Sequence, residues 1–314
     1  MASLVVFQEN TIPYFAVAER HIRRLRDELP GFEVCWCRTE EAFLHALPKA
    51  AAACTWRWEE AWYGIAPNLK KIATPAAGHD FFPPDKPPQV QIHHGSYHGE
   101  FMSETLLGMM LAFNRGILPS HRFQLEGDLW PRYRLPDVRS IRHTHAVFIG
   151  IGHVAAYAAA VLKPFGIRVT AFCRHPERAV RPACFDADDS ILSMEGLDGV
   201  LPEADHLVLI LPGDTGTDRL LDARRIALLP EHAVVYNIGR GNSIDEAALA
   251  DALDSGAIRG ACLDVFAREP LETASPLAKD RPNLLRLPHA SAFDPAYMDR
   301  FLDEAIPWLK EDLA

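Results

Sequence analysis

Cysteine is scarce and irregularly spaced in this sequence. The 314 residues include six cysteines, and no two of them have the C-x-x-C spacing that is typical of zinc sites and redox centres. A disulfide scaffold would need a denser set of cysteines in a shorter secreted chain. We therefore expect no metal site and no disulfide framework, but free thiols in a reducing cytoplasm.

Long apolar segments and concentrated positive charge are also missing. No apolar run approaches the roughly 20 residues that a membrane-spanning helix requires. The beginning, MASLVVFQEN, lacks the pattern of a signal peptide and predicts a first strand. The formal net charge is -10, and no cluster of Lys and Arg is interleaved with aromatic residues. These absences argue against a nucleic-acid or membrane partner, whereas a few local cations could still bind a small anionic ligand.

The sequence does contain enough apolar material for sizeable cores. Hydrophobic residues make up 48% of the chain, and its length of 314 residues is typical of about two domains. The first part alternates strand-like runs with helical patterns over residues 14–29 and 40–47. Its strand-like runs are SLVVFQ, FEVCWC, AAACTW and KIATP. Such alternation predicts a mostly parallel sheet with helices on both faces.

A second alternating series begins near residue 145. Its strand-like runs are HAVFIG, IRVTAF, HLVLIL, AVVYNI and RGACLDV, and residues 243–253 have a helical pattern. Residues 99–118 predict one long apolar helix able to connect the two series, and residues 294–313 predict an amphipathic helix. The segment FFPPDKPPQV is too rich in proline for either element and predicts a loop. The predicted fold class is α/β, with two doubly wound parallel-sheet domains.

The stretch GIGHVA follows an apolar strand and precedes a helix, which is the setting of a dinucleotide-binding turn. Gly150 permits the tight turn, and Gly152 lets the backbone approach a pyrophosphate. The first N–H groups of the helix, from His153 and Val154 onward, can then bind phosphate. The third position of the fingerprint is Ala155, which the pattern tolerates.

The end of the next strand predicts which dinucleotide is bound. NAD binders commonly have Asp or Glu there, hydrogen-bonded to the adenosine ribose. Here the strand ends in Cys173, and the cations Arg174 and His175 follow, with Arg178 nearby. A guanidinium can pair with a 2′-phosphate, so the sequence favours NADPH over NADH. The alternative is that Arg174 stacks on the adenine and both cofactors are used.

Three later stretches place polar side chains just after apolar strands, where open parallel sheets bind ligands. NIGRGNSIDEAAL carries Arg240, LDVFAREPLETASPL carries Glu269, and NLLRLPHASA carries His289. Together with AAGHD, GIGHVA and the Leu–Pro pair at 211–212, this order resembles the D-isomer-specific 2-hydroxyacid dehydrogenase family over nearly the whole chain. The missing ribose-binding acid and the stretch LEGDLW most resemble its glyoxylate/hydroxypyruvate reductase branch.

The resemblance implies a Rossmann cofactor domain at residues 99–289 and a flavodoxin-like substrate domain at 1–98 plus 290–314, with a cleft between them. It implies reduction of a small 2-keto acid to the D-2-hydroxy acid with NADPH, NAD being a possible substitute. It also implies a homodimer that forms through the cofactor domain.

The catalytic residues that the resemblance implies are Arg240, Glu269 and His289, and the chemistry fits them. Hydride transfer to a keto acid creates negative charge on the keto oxygen, which a protonated His289 can neutralise by giving its proton. Glu269 would orient the imidazole and raise its pKa. Arg240 offers a planar fork that matches the substrate carboxylate.

For the substrate, the resemblance implies backbone N–H groups of the loop formed by Ala76, Ala77, Gly78 and His79, where His79 replaces the usual aliphatic residue. Arg57 is either a second cation for the substrate or an ordinary surface arginine. Trp56, Trp58 and Trp130 are either pocket walls or core residues. Further cofactor contacts implied are Leu211, Pro212, Thr217, Ile238, Gly239, Asp264 and Ser291, of which the last two are expected near the nicotinamide amide, with Thr105 as an additional candidate.

Two other functions are compatible with the same residues. One is the same fold acting on another 2-hydroxy acid, such as phosphoglycerate. The other is a dinucleotide-sensing binding protein similar to the corepressors of the family. The presence of Arg240, Glu269 and His289 together favours an enzyme.

Overall fold

The computed structural model describes residues 1–135 and 138–311. In chain order, its strands are β1 (Ala2–Phe7), β2 (Phe32–Trp36), β3 (Ala50–Thr55), β4 (Lys71–Thr74), β5 (Gln91–His94), β6 (His145–Ile149), β7 (Arg168–Cys173), β8 (Ser190–Ser193), β9 (His206–Leu209), β10 (Val234–Asn237), β11 (Gly260–Leu263) and β12 (Leu284–Arg286). Its α-helices are α1 (Glu19–Glu28), α2 (Glu40–Ala46), α3 (Glu60–Ile65), α4 (His98–Asn114), α5 (Ile117–Leu125), α6 (His153–Leu162), α7 (Leu197–Val200), α8 (Ala223–Ile226), α9 (Glu246–Ser255) and α10 (Tyr297–Lys310).

The chain divides into two compact units. The first comprises Met1–His98 and Phe293–Ala314, and the second comprises Gly99–Ala292. Residues 290–292 therefore belong to the second unit and not, as predicted, to the first. The reason is that the backbone N–H groups of Ala290 and Ser291 donate to the carboxylate of Asp264, which lies in the second unit.

The first unit is built on a five-stranded sheet in the order β2-β1-β3-β4-β5, with every neighbouring pair parallel. This is the flavodoxin-like order, in which the chain reverses its direction of travel beside β1. Helix α10 packs against α1 and β4. Asp303 of α10 pairs with Arg24 of α1 at 2.8 Å, and Lys71 Nζ donates to the Trp308 carbonyl at 2.7 Å.

The second unit has a seven-stranded, wholly parallel sheet in the order β12-β11-β10-β9-β6-β7-β8. Its central strands β6, β9, β10 and β11 are buried along their entire length, as expected where helices cover both faces. The order reverses between β6 and β9, which is the switch point of a Rossmann sheet. Loops that follow these strands therefore meet at one edge of the sheet.

Several element boundaries differ from the sequence predictions. The prediction of a single helix over residues 99–118 is wrong. Gly116 adopts a left-handed φ of 72° and separates α4 from α5. Helix α1 starts at Glu19, because a short 3-10 turn at Pro13–Phe15 precedes it. Helix α9 starts at Glu246, because the Asp245 side chain caps its first turn.

The strands β5 and β8 were not among the predicted strands. Both are short edge strands with partly exposed residues, so neither has the apolar run by which the central strands were recognised. The predicted final helix over residues 294–313 begins at Tyr297, and Leu313 lies outside the described residues. Among the helices that the structure describes, none has the length and apolar character to cross a membrane.

Candidate active site

Asp264 organises the loop that carries His289. Its side chain is fully buried just after β11, and its two carboxylate oxygens accept hydrogen bonds from Ala290 N at 2.7 Å and Ser291 N at 3.0 Å. The backbone carbonyl of Asp264 accepts a third bond from His289 N at 2.8 Å. His289 has a φ of 53°, a conformation that costs a non-glycine residue about 1–3 kcal/mol. The three hydrogen bonds to Asp264 hold His289 in this left-handed conformation.

His289 and Glu269 form a tight pair. The His289 Nδ1 lies 2.6 Å from Glu269 Oε2, while Glu269 Oε1 accepts a hydrogen bond from Phe266 N at 3.0 Å. Both oxygens of the carboxylate are thus engaged, which sets its orientation. Because Nδ1 is committed to Glu269 and the His289 side chain is 49% exposed, Nε2 is the ring nitrogen left to exchange a proton with a ligand.

The pair keeps His289 charged over a wider pH range. The hydrogen bond to Glu269 raises the pKa of His289 and outweighs burial and the nearby Arg240 charge, which both lower it. Burial tends to raise the pKa of Glu269, but hydrogen bonds from His289 and from the Phe266 N–H outweigh it, so that pKa is lowered. Both shifts favour an imidazolium beside a carboxylate.

Arg240 acts electrostatically on Glu269 and His289, because Gly241 allows the loop after β10 to contact the loop after β11. A Cβ added to Gly241 would lie 1.9 Å from the carbonyl carbon of Phe266, so only glycine allows the loop after β10 to reach the loop after β11. The Arg240 carbonyl accepts bonds from Ser243 Oγ at 2.7 Å and Asn237 Nδ2 at 3.1 Å. The charge of Arg240 acts on both Glu269 and His289.

The glycine turn lies at the switch point of the same sheet. Gly150 has a φ of 104°, and a Cβ there would lie 2.4 Å from the Ile210 carbonyl oxygen. Gly152 is the N-cap residue directly before α6, has open space around its missing side chain, and offers no side-chain cap to the first turn. The N–H groups of His153 and Val154 in that turn are positioned to bind an anion.

The loops after β9 and β10 also approach closely. A Cβ on Gly239 would lie 2.5 Å from Leu211 N, and Ile238 is buried. The hydroxyl of Thr217, whose side chain was predicted to contact the cofactor, donates to the Pro212 carbonyl at 2.9 Å. Thr217 therefore shapes the turn after β9. Among the described residues no group of His, Cys, Asp and Glu could hold a metal ion.

The predicted phosphate-binding cations lie on the surface of the second unit. Arg174 is 68% exposed, and its Nη2 lies 3.4 Å from Asp214 Oδ2. His175 lies beside Glu177, with 3.3 Å between His175 Nδ1 and the carboxylate. Thr105 Oγ1 donates to the Ser291 carbonyl at 3.0 Å, so both residues support the loop that carries His289.

In the first unit, hydrogen bonds hold the residues at the start of the predicted substrate loop, residues 76–79. The hydroxyls of Tyr97 and Tyr297 both donate to the Pro75 carbonyl, each at 3.2 Å. Ala76 N donates to Thr74 Oγ1 at 3.2 Å. The ring of His79 lies 3.9 Å from that of His94. Burial, together with the neighbouring His79, lowers the pKa of His94 to about 4, so His94 is neutral at physiological pH.

The remaining candidates from the sequence, one arginine and three tryptophans, differ in exposure and in the residues that they contact. Arg57 is about half exposed and pairs with Glu40 and Glu59 on the surface. Trp58 packs in the core of the first unit, and Trp56 stacks on the ring of Tyr297. Trp130, in the second unit, is 77% exposed and is not a core residue.

Sequence reasoning missed four residues that contribute to these sites. The role of Gly241 has a local signal, the GRG of NIGRGN, but the neighbour that requires a glycine is distant in sequence. Asp214 follows the recognised Leu–Pro pair, yet nothing local indicates that it meets Arg174. Tyr97 and Tyr297 are brought to Pro75 only by the fold.

A Rossmann sheet with a glycine turn at its switch point, and a histidine–carboxylate pair beside an arginine at the same edge, defines a dinucleotide-dependent dehydrogenase. The family model described as "D-isomer specific 2-hydroxyacid dehydrogenase, NAD binding domain" matches residues 107–291. The chain belongs to this family of oxidoreductases.

Relatives and solved structures agree with that assignment. Glyoxylate/hydroxypyruvate reductase B of Pectobacterium carotovorum subsp. carotovorum is 32% identical over 233 residues, covering 71% of this chain and 69% of that protein. The NADPH-dependent glyoxylate/hydroxypyruvate reductase from Sinorhizobium meliloti, in complex with NADP and sulfate, superposes with a TM-score of 0.79 at 25% identity, covering 100% of this chain and 96% of that one. A D-isomer specific 2-hydroxyacid dehydrogenase from Xanthobacter autotrophicus Py2, in complex with NADPH and MES, gives a TM-score of 0.77 at 26% identity, covering 98% and 95%.

The substitution Glu269→Gln is expected to lower the pKa of His289. The amide retains a hydrogen-bonding oxygen but loses the negative charge, whereas burial and the Arg240 charge continue to lower that pKa. The measurement is an NMR pH titration of the His289 ring, assigned with a His289→Asn variant. Glu272→Gln is the matched control, because Glu272 is an exposed carboxylate in the same loop that pairs with Arg268. An unchanged His289 pKa in Glu269→Gln would contradict this role of Glu269.

Proposed function

We propose that this protein reduces a small 2-keto acid of the glyoxylate or hydroxypyruvate type to the D-2-hydroxy acid, with NADPH as the preferred reductant. The observation that carries the proposal is the His289–Glu269 pair, 2.6 Å apart and within the electrostatic reach of Arg240. The named activities of the Pectobacterium and Sinorhizobium relatives support the substrate class.

The residues present fit a nicotinamide dinucleotide. Gly150 and Gly152 leave the backbone open at the start of α6, where N–H groups and the helix dipole favour phosphate. The Asp214 side chain is 39% exposed with its Oδ2 beside Arg174, so this carboxylate oxygen is an acceptor available for a ribose hydroxyl. The dinucleotide, when bound, supplies the hydride.

The side chains of the second unit supply the remainder of the chemistry. His289 gives a proton from Nε2 to the keto oxygen as negative charge develops there. Glu269 holds the ring through Nδ1 and stabilises its charged form. Arg240 binds the substrate carboxylate through its planar fork. Asp264 positions His289 by accepting hydrogen bonds from the backbone N–H groups of Ala290 and Ser291, and its predicted contact with the nicotinamide amide stays a prediction.

In the first unit, we assign the substrate carboxylate to the backbone N–H groups of Ala77, Gly78 and His79. The support is the family resemblance of AAGHD, together with the two tyrosine hydroxyls that donate to the carbonyl of Pro75, the residue directly before the loop. Arg57 is left out of this assignment, because Glu40 and Glu59 already pair with its guanidinium.

The experiment for the activity follows the loss of NADPH absorbance with glyoxylate, hydroxypyruvate, pyruvate, phosphohydroxypyruvate and a branched 2-keto acid. His289→Asn should slow reduction of the best substrate roughly 10²–10⁴-fold, the contribution of a positioned acid, with unchanged NADPH affinity. Arg240→Lys should chiefly raise KM, because an ammonium lacks the planar fork. His232→Asn, a surface histidine beside Asp205, is the control and should be as active as wild type. NADPH binding without turnover of any keto acid would favour a dinucleotide sensor instead.

The cofactor preference is assigned to Arg174. Arg174→Ala should weaken NADPH binding roughly 10- to 100-fold, as expected for one lost charge-assisted partner, and should leave NADH binding nearly unchanged. Isothermal titration calorimetry measures both affinities. Arg224→Ala removes an exposed arginine that pairs with Asp198 and serves as the control. Equal losses for the two cofactors would indicate stacking on the adenine.

A homodimer is proposed through the second unit. Four large apolar side chains in one short stretch are strongly exposed, namely Leu125 (76%), Leu129 (78%), Trp130 (77%) and Tyr133 (92%). Such a concentration marks an interaction surface, and a second copy of the chain is the partner that the family implies.

Light scattering should give twice the 35.0 kDa of one chain, and a Trp130→Ser, Tyr133→Ser double variant should shift the measured mass toward that of the monomer. A monomeric wild type would refute the proposal.

A further inference from the structure

Arg174 is matched by a carboxylate at the same edge of the sheet. Its Nη2 lies 3.4 Å from Asp214 Oδ2. Arg174 follows β7 and Asp214 follows β9, and these strands are the two neighbours of β6, which ends at the glycine turn. The two side chains therefore meet across the carboxyl end of β6, where the adenosine end of a dinucleotide binds in a Rossmann sheet.

The two partners differ in mobility. Asp214 lies in a rigid turn, because its N–H donates to Thr217 Oγ1 at 3.3 Å and its carbonyl accepts from Thr217 N at 3.0 Å and from Asn242 Nδ2 at 3.3 Å. Arg174 is a long side chain, 68% exposed, and such surface pairs contribute little to stability. Arg174 can therefore leave the pair at little cost, whereas Asp214 stays where it is.

We infer that Asp214 is a cofactor-specificity residue that supplies, from the loop after β9, the carboxylate that is absent at the end of β7. That strand ends in Cys173, whereas NAD binders commonly have an acid there. Asp214 accepts a hydrogen bond from a ribose 2′-hydroxyl through Oδ2, the oxygen that faces Arg174, and the Asp214 side chain is 39% exposed.

The same carboxylate opposes a 2′-phosphate in two ways. It repels the phosphate, which carries between one and two negative charges. It also competes with the phosphate for the Arg174 guanidinium. Asp214 therefore limits the preference for NADPH that Arg174 provides and retains the ability to bind NADH. This inference rests on the proposed role of Arg174 in recognising the 2′-phosphate.

The test compares the binding of 2′-phospho-ADP-ribose with that of ADP-ribose by calorimetry, since neither ligand can be turned over. Asp214→Asn is expected to tighten binding of the 2′-phosphorylated ligand and to weaken or leave unchanged binding of ADP-ribose, so that their ratio shifts by roughly tenfold or more. The shift should shrink at high salt, because the repulsion is electrostatic.

Asp218→Asn is the matched control. Asp218 lies in the same turn and accepts a bond from Asn242 Nδ2 at 2.6 Å, so its variant changes the net charge by the same amount. An equal shift in Asp218→Asn, or an unchanged ratio in both Asp214→Asn and the folded variant Asp214→Ser, would overturn the inference. Thermal unfolding identifies a variant that has lost its fold.

A further measurement, on the variant Arg174→Ala, distinguishes a failure of this inference from a failure of the proposed function on which it rests. If Arg174→Ala leaves binding of 2′-phospho-ADP-ribose unchanged, the proposed recognition of the phosphate by Arg174 fails, and the inference fails with it. If Arg174→Ala weakens that binding but neither Asp214→Asn nor Asp214→Ser shifts the ratio, the recognition by Arg174 stands and only the role of Asp214 is refuted.

Discussion

The buried carboxylate of Asp264 is the interaction on which the candidate active site depends. It receives two consecutive backbone N–H groups after His289, and its own carbonyl receives the N–H of His289. A buried carboxylate without such partners would be costly, and a left-handed histidine without such restraint would relax. Each feature therefore accounts for the other, and together they present the imidazole to Glu269.

A chain of close backbone approaches extends from this point along the edge of the sheet. Gly241 touches Phe266, Gly239 touches Leu211, and Gly150 touches Ile210, at distances where any side chain would collide. The loops after β6, β9, β10 and β11 are consequently packed as one layer. In this layer the glycine turn and the histidine–carboxylate pair keep fixed positions relative to each other, and fixed positions of the reacting groups favour hydride transfer.

The charged groups at this edge of the seven-stranded sheet form two different arrangements. Around His289 a carboxylate and an arginine act on a partly buried ring, and their net effect is a raised pKa. Around Arg174 the partners are exposed, so the pair with Asp214 is weak and can exchange one partner for another. The first arrangement suits an acid that must stay charged, and the second suits recognition of a ligand that varies in charge.

Several features could be predicted from the sequence alone, namely the α/β class, the strands with long apolar runs, the glycine turn, and the types of residue at positions 240, 269 and 289. These features depend on local periodicity and on a few residues in a fixed order, which a single chain displays directly. The break between α4 and α5 at Gly116 and the short edge strands β5 and β8 escaped this reasoning, because their local patterns are weak.

The contacts between side chains that are distant in sequence follow from the three-dimensional fold and could not be predicted. Arg174 and Asp214 are 40 residues apart in sequence, and Tyr297 and Pro75 are 222 apart. No periodicity encodes such pairs, because they arise from strand order and from loops that converge at the carboxyl edge of a parallel sheet. The burial of Asp264 and the exposure of Trp130 were decided in the same way, since solvent access depends on neighbours that are distant in the chain.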